Sequence, residues 1–104
     1  MALTGKERAY LRSEANDLDS LLHIGKDNLN ENIYQELADL LRTRELVKVT
    51  VLKTATMSTK EIANTLAEKL DADVVQVIGR KIVIYKFSEE LAKKGRTKYL
   101  LKNV

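Results

Sequence analysis

Between Leu46 and Leu52 the chain alternates with a period of two residues. Val47, Val49 and Val51 project one way, and Lys48 and Thr50 project the other. Such a run fits a half-buried β-strand, and the segments on either side keep a different period. Upstream, Ile33, Leu37, Leu40 and Leu41 fall at i, i+4, i+7 and i+8, one stripe of an α-helix. Downstream, Ile62, Leu66 and Leu70, with Ala63 and Ala67 beside them, form a second stripe. A strand between two amphipathic helices calls for crossover connections, and these favour parallel pairing in an α/β sheet.

The remaining elements follow from local signals. Leu11, Ala15 and Leu18 predict a helix over residues 4–17, with Thr4 and Glu7 placed as a capping box. Glu14 falls near the apolar side of that helix. Leu21-Leu22-His23-Ile24 reads as a short strand ended by Gly25. Asn30 can cap the next helix, which should stop near Arg42 to Arg44, where cations suit the C-terminal dipole. Ser58 and Glu61 make a second capping box, and Asp71-Ala72-Asp73 breaks the third helix. Two β-rich runs, Val74 to Ile78 and Ile82 to Phe87, are joined by Gly79-Arg80, as in a type II′ hairpin. Both runs are apolar on both faces, which predicts central or doubly covered strands. The order is α-β-α-β-α-β-β, a mixed four-stranded sheet packed with three helices in an α/β fold.

With 104 residues, the chain suits one domain and can bury a core without disulfide or metal staples. It holds no cysteine, which removes disulfides, thiolate nucleophiles and cysteine zinc sites, and fits a reducing compartment. No apolar run approaches the roughly 20 residues of a membrane span. Met1 to Lys6 has no signal-peptide core, so a cytoplasmic protein is expected. Charge is uneven: residues 1–72 carry 10 Lys/Arg against 12 Asp/Glu, and residues 73–104 carry 8 against 3. A basic end on a balanced body points to an anionic partner. Residues 1–87 are read as the domain and residues 88–104 as a basic tail with mixed helical potential.

Catalytic chemistry finds little support. His23 is the single histidine, and it reads as a strand residue facing solvent or the core edge. No nucleophile elbow, P-loop or dinucleotide-binding glycine motif occurs. Carboxylates scatter over helix starts and exposed faces. No enzyme activity, cofactor, metal, membrane or small-molecule substrate is expected.

One loop stands apart. Gly25-Lys26-Asp27-Asn28 lies between a strand and a helix N-terminus, where free N–H groups and the dipole favour an anion. Gly25 allows close backbone approach, Lys26 adds a mobile charge, and Asn28 tolerates a left-handed conformation. Alone, the same tetrapeptide is also an ordinary strand-to-helix turn.

The ordered set Leu3-Thr4-Gly5-Lys6, Tyr10-Leu11-Arg12-Ser13, Ile24-Gly25-Lys26, Asn30-Glu31-Asn32, Arg44-Glu45-Leu46-Val47-Lys48-Val49 and Val75-Gln76-Val77-Ile78-Gly79 resembles the CRM domain. This is the chloroplast RNA splicing and ribosome maturation module, here closest to its stand-alone bacterial, YhbY-like form. The resemblance spans roughly residues 3–87. It implies a fold similar to the C-terminal domain of translation initiation factor three. It further implies RNA binding and, for the bacterial form, association with precursors of the large ribosomal subunit. The family loop is Gly-Lys-x-Gly, likened to the GXXG loop of KH domains. Gly25 and Lys26 match it. Asn28 departs at the last glycine, and Asp27 puts a carboxylate where phosphate should approach.

The candidate RNA-binding residues are therefore Gly25, Lys26, Asp27 and Asn28, with Lys6, Arg8 and Arg12 on the first helix and Arg80 and Lys81 at the hairpin. Lys93, Lys94, Arg96 and Lys98 are expected to add non-specific attraction, and Tyr99 to anchor the tail. The expected partner is RNA, ribosomal or in a pre-large-subunit particle, bound by a monomer. The alternative is a protein–protein adaptor using the same basic surface.

Overall fold

The computed structural model describes residues 3–99 and Leu101. Helix α1 spans Gly5–Ala15, strand β1 Ser20–Ile24, helix α2 Glu31–Arg44 and strand β2 Leu46–Val51. Helix α3 covers Thr59–Leu70, strands β3 and β4 are Asp73–Ile78 and Lys81–Tyr85, and a short helix α4 covers Glu89–Lys93. The α-β-α-β-α-β-β order is as expected, with α4 added after it.

The caps form where the sequence puts them. Thr4 and Glu7 close a reciprocal box on α1, and Ser58 and Glu61 close one on α3. The Asn30 side chain accepts from the Ile33 N–H at 2.9 Å and starts α2. Asp71 ends α3 in the left-handed conformation. Helix α1 stops at Ala15, earlier than expected, and Glu14 points to solvent.

The sheet order is β1-β2-β4-β3. The α2 crossover makes β1 and β2 parallel neighbours, as expected. The α3 crossover does not: β4 inserts between β2 and β3 and pairs antiparallel with both. The hairpin is short enough to fold β4 back into the gap, so β2 and β3 run the same way without touching. Of the two hairpin strands only β4 is central. The edge strand β3 leaves Val77 and Ile78 exposed, against the expectation for a doubly apolar run. Strand β4 ends at Tyr85, and Phe87 beyond it is exposed. Gly79 has φ +56° and Arg80 is not left-handed, in keeping with the expected type II′ turn.

Two apolar clusters pack on the two sheet faces. The larger joins Val47, Val49 and Val51 of β2 and Ile82 and Ile84 of β4 to α2 and α3, through Leu37, Leu41, Ile62 and Leu66. The smaller lies under α1, where Leu11 and Ala15 meet Leu46, Val75, Val83 and Tyr85. Strand β2 is therefore covered on both faces at Leu46 and on one face further along. Tyr99 and Leu101 pack against the smaller cluster. Burial first, and then the nearby Glu45 carboxylate, push the Tyr85 phenol up to about 12.

Candidate nucleic-acid interface

Strands β1, β2 and β3 all finish at one end of the sheet, where β4 begins. Three connections meet there: Gly25 to Asn30, Leu52 to Ser58, and the turn Gly79-Arg80. In open α/β sheets this carboxyl end is where ligands bind. Helices α2 and α3 both start there, so two positive dipole ends face the same way. Their caps satisfy the N–H groups of Ile33 and Glu61 and leave others of the first turn without an intrahelical partner.

The connections are tied into one frame. Gly25 to Asn28 is a turn closed by the Asn28 N–H on the Gly25 carbonyl at 2.9 Å. Asn28 is left-handed at φ 51°, as its residue type suggested. Its side-chain oxygen accepts from the Thr56 and Met57 N–H groups at 3.0 and 3.2 Å, and its Nδ2 donates to the Thr56 hydroxyl at 2.7 Å. The Leu52 N–H donates to the Ile24 carbonyl at 2.8 Å, and the Val51 N–H to the Arg80 carbonyl at 2.7 Å. The Arg80 guanidinium reaches the Leu52 carbonyl at 3.5 Å. A Cβ at Gly25 would lie 3.1 Å from Thr54 Oγ1. This glycine thus makes room for the neighbouring loop.

Lys26 and Arg80 are exposed in this frame, and so are Lys53 and Lys60. Sequence reasoning missed the last two, together with the loop that carries Lys53. The signal was present, because β2, a loop and the capped α3 repeat the arrangement of β1, a loop and the capped α2. The acidic groups at this end are Asp27, Glu31 and Glu61. The Glu61 carboxylate is directed to its capping box, while Asp27 is exposed beside Lys26.

The first-helix residues lie elsewhere. Helix α1 runs from the start of β3 toward the hairpin. Arg8 donates through Nε to the Val74 carbonyl at 3.4 Å, and Ala15 lies beside Ile78 and Lys81. Val74 is four residues from Ile78, so Arg8 sits about 13 Å from the loop end. Lys6 is farther still, and Arg12 is exposed one turn nearer. Lys81 lies just over the rim, on the α1 side of the sheet, where its Nζ donates to Thr50 Oγ1 at 3.0 Å. His23 is exposed on the same face. Among the described residues, no group of three His, Cys, Asp or Glu side chains could hold a metal ion. No helix among them is long and apolar enough to cross a membrane.

A small α/β sheet with cationic loops framed at its strand ends, beside two helix N-termini, defines a class of anion-binding domain that includes nucleic-acid modules. Comparison with known proteins makes the class particular. The model of the CRS1/YhbY (CRM) domain matches residues 3–86, and the chain belongs to that family. It is 39% identical over 88 residues to a Bacillus subtilis protein named "Probable RNA-binding protein YqeI", covering 85% of this chain and 92% of the relative. A Methanocaldococcus jannaschii protein, also named a probable RNA-binding protein, is 37% identical over 102 residues, covering 96% of this chain and 72% of its own length. The solution structure of a Staphylococcus aureus protein described as an RNA-binding candidate matches with a TM-score of 0.73 at 46% identity. It covers 85% of this chain and 92% of that one.

Proposed function

We propose that this chain is a non-enzymatic RNA-binding protein that holds RNA phosphates at its strand-end loops. We further propose that its RNA is ribosomal, in precursors of the large subunit, and that it acts there in the cytoplasm during assembly. The observation that carries the first statement is the frame itself. Asn28 fastens two strand-to-helix loops together, so the backbone that carries Lys26 and Lys53 is held beside the two helix N-termini. A preorganised backbone loses little loop freedom on binding. The names of the relatives support RNA as the ligand, and the large-subunit assignment follows from the family resemblance. Arg80 and Lys81 extend the basic surface, Lys6, Arg8 and Arg12 form a separate basic stretch on α1, and phosphate contacts fix position without reading sequence.

Lys26→Glu and Lys53→Glu test the site, since both residues are exposed and the fold should survive either change. Each should weaken RNA binding in a filter titration. Each should also reduce the log–log salt slope by about 0.7 for every single-strand phosphate released. Unchanged affinity and slope for both variants would remove the loops from the site. Crosslinking in cells, followed by sequencing of the bound RNA, tests the target. Ribosomal RNA should dominate, and enrichment of messenger RNA would sink the assembly role. An absence of bound RNA together with an acidic protein partner would favour the adaptor reading.

A further inference from the structure

Helix α1 covers only half of the sheet face opposite α2 and α3. The half nearest the loop end is open, and the strand register shows what it presents. One row crosses all four strands: His23 opposite Thr50, Thr50 opposite Lys81, and Lys81 opposite Ile78. The next row is Ser20, Lys48, Val83 and Gln76. Ile78 is 60% exposed, a high value for an apolar strand residue. Three of the polar members are linked: Lys81 Nζ donates to Thr50 Oγ1, and the Thr50 and Ser20 hydroxyls bond to each other. Between these rows and the end of α1 lies a concavity of about 320 Å3, bordered by Asp19, Ser20, Lys48, Gln76, Ile78 and Lys81.

We propose that this concavity is a second RNA subsite, which takes one unpaired base of a single strand whose backbone is held at the loops. The inference rests on the RNA-binding reading above and adds to it the form of RNA that is bound. Its size lies near the lower bound of about 300 Å3 for small-molecule sites, enough for one splayed base and too little for a duplex. Its chemistry is that of a base-edge reader. Asp19 accepts, Lys48 donates, and the Gln76 amide and Ser20 hydroxyl do both. Ile78 supplies an apolar surface for the flat of the ring. Lys81 stands between this concavity and Arg80, where the phosphate entering from the loops would lie. Lys48 and Lys81 suit a polyanion, and the single carboxylate of Asp19 suits an exocyclic amino group. Unpaired bases are the part of RNA that proteins read by hydrogen bonds to the Watson–Crick edge.

The test uses the full chain and three labelled RNA probes of equal length: a single strand, the same strand with abasic riboses, and a paired duplex. The wild type should bind the single strand about tenfold more tightly than its abasic counterpart, the worth of about one base-edge hydrogen bond. Gln76→Ala combined with Ile78→Ala should abolish that preference and leave affinity for the abasic and duplex probes within about twofold. Both side chains lie on the edge strand, and circular dichroism checks that the fold is kept. Lys26→Glu should weaken all three probes alike. Equal wild-type binding to the base-bearing and abasic strands, or a preference that survives the double variant, overturns the subsite and leaves the loop site standing. Failure of the wild type to bind any probe overturns the RNA-binding reading itself.

Discussion

Asn28 shows at single-residue scale how one position can serve both turn and frame. Its backbone is left-handed at φ 51°, and its side chain makes three hydrogen bonds to Thr56 and Met57. Glycine, the residue of the family pattern, would keep the turn and lose the bonds. Asn28→Gly should therefore destabilise the fold by about 1–2 kcal/mol, the net worth of such bonds at a part-exposed site. Asn28→Ala loses the bonds and must also hold alanine at positive φ, which adds about 1 kcal/mol. Urea unfolding should rank the stabilities Asn, Gly, Ala, and an alanine variant equal to glycine would show that the turn relaxes. The left-handed tolerance of Asn28 was legible in the sequence. Its partners were not, because they lie 28 and 29 residues away and a turn residue carries no mark of what it will touch. Gly25 was legible as a turn glycine, but its second constraint was not, since the atom that crowds it, Thr54 Oγ1, belongs to a loop that only the fold brings near.

Between elements, the informative joint is the passage from α2 to β2. Only Glu45 separates Arg44 from Leu46, and it takes φ 66° and ψ −44° where helices often place glycine. It is fully buried. Its N–H donates to the Leu41 carbonyl, its carbonyl accepts from Lys86, and its Oε2 accepts from the Ser88 N–H at 2.9 Å. Oε1 has no partner. A buried acid in a strained conformation persists here because it fastens α4 to the end of α2. Removing the carboxylate leaves the Ser88 N–H unpaired, so Glu45→Ala should cost about 1–3 kcal/mol. Glu45→Gly loses the same bond but relieves the backbone, and should be about 1 kcal/mol more stable than the alanine variant. Thermal unfolding of the pair decides this, and the reverse order would mean that the joint is unstrained. Helix α2 ends where its cations predicted, yet the Glu45 joint left no local signal. Strand β3 was misread as central for a related reason. Val77 and Ile78 are apolar, and composition does not distinguish a residue buried by the fold from one exposed on an edge.

At the scale of the whole molecule, residues 88–104 combine charge with packing. Their charge suggested a tail that attracts RNA, and Lys93, Lys94, Arg96 and Lys98 are indeed exposed. Its described residues, 88–99 and Leu101, are also packed onto the fold. Ser88 bonds to Glu45 and to the Arg42 carbonyl, Arg42 pairs with Glu90 at 2.9 Å, and Tyr99 and Leu101 lie against the cluster under α1. Burial raises the Tyr99 phenol, and its packing against that cluster accords with the expected anchoring. The segment thus passes from the α2 side of the sheet to the α1 side, and two roles can be separated. Cutting the chain after Phe87 removes both charge and packing. It should cost about 3 kcal/mol, from the orphaned Glu45 carboxylate and the uncovered apolar surface, and lower Tm by more than about 10 °C. The exposed Arg42–Glu90 pair should add little to that loss. Replacing the four basic residues with Gln removes charge alone, so Tm should hold while affinity for non-specific RNA falls and its salt slope flattens. If truncation leaves Tm unchanged, the domain ends at Phe87 and the later residues are a tail. If the Gln variant binds non-specific RNA as tightly as the wild type, the segment acts through packing, and the RNA contacts lie on the strand-end loops and the rest of the sheet.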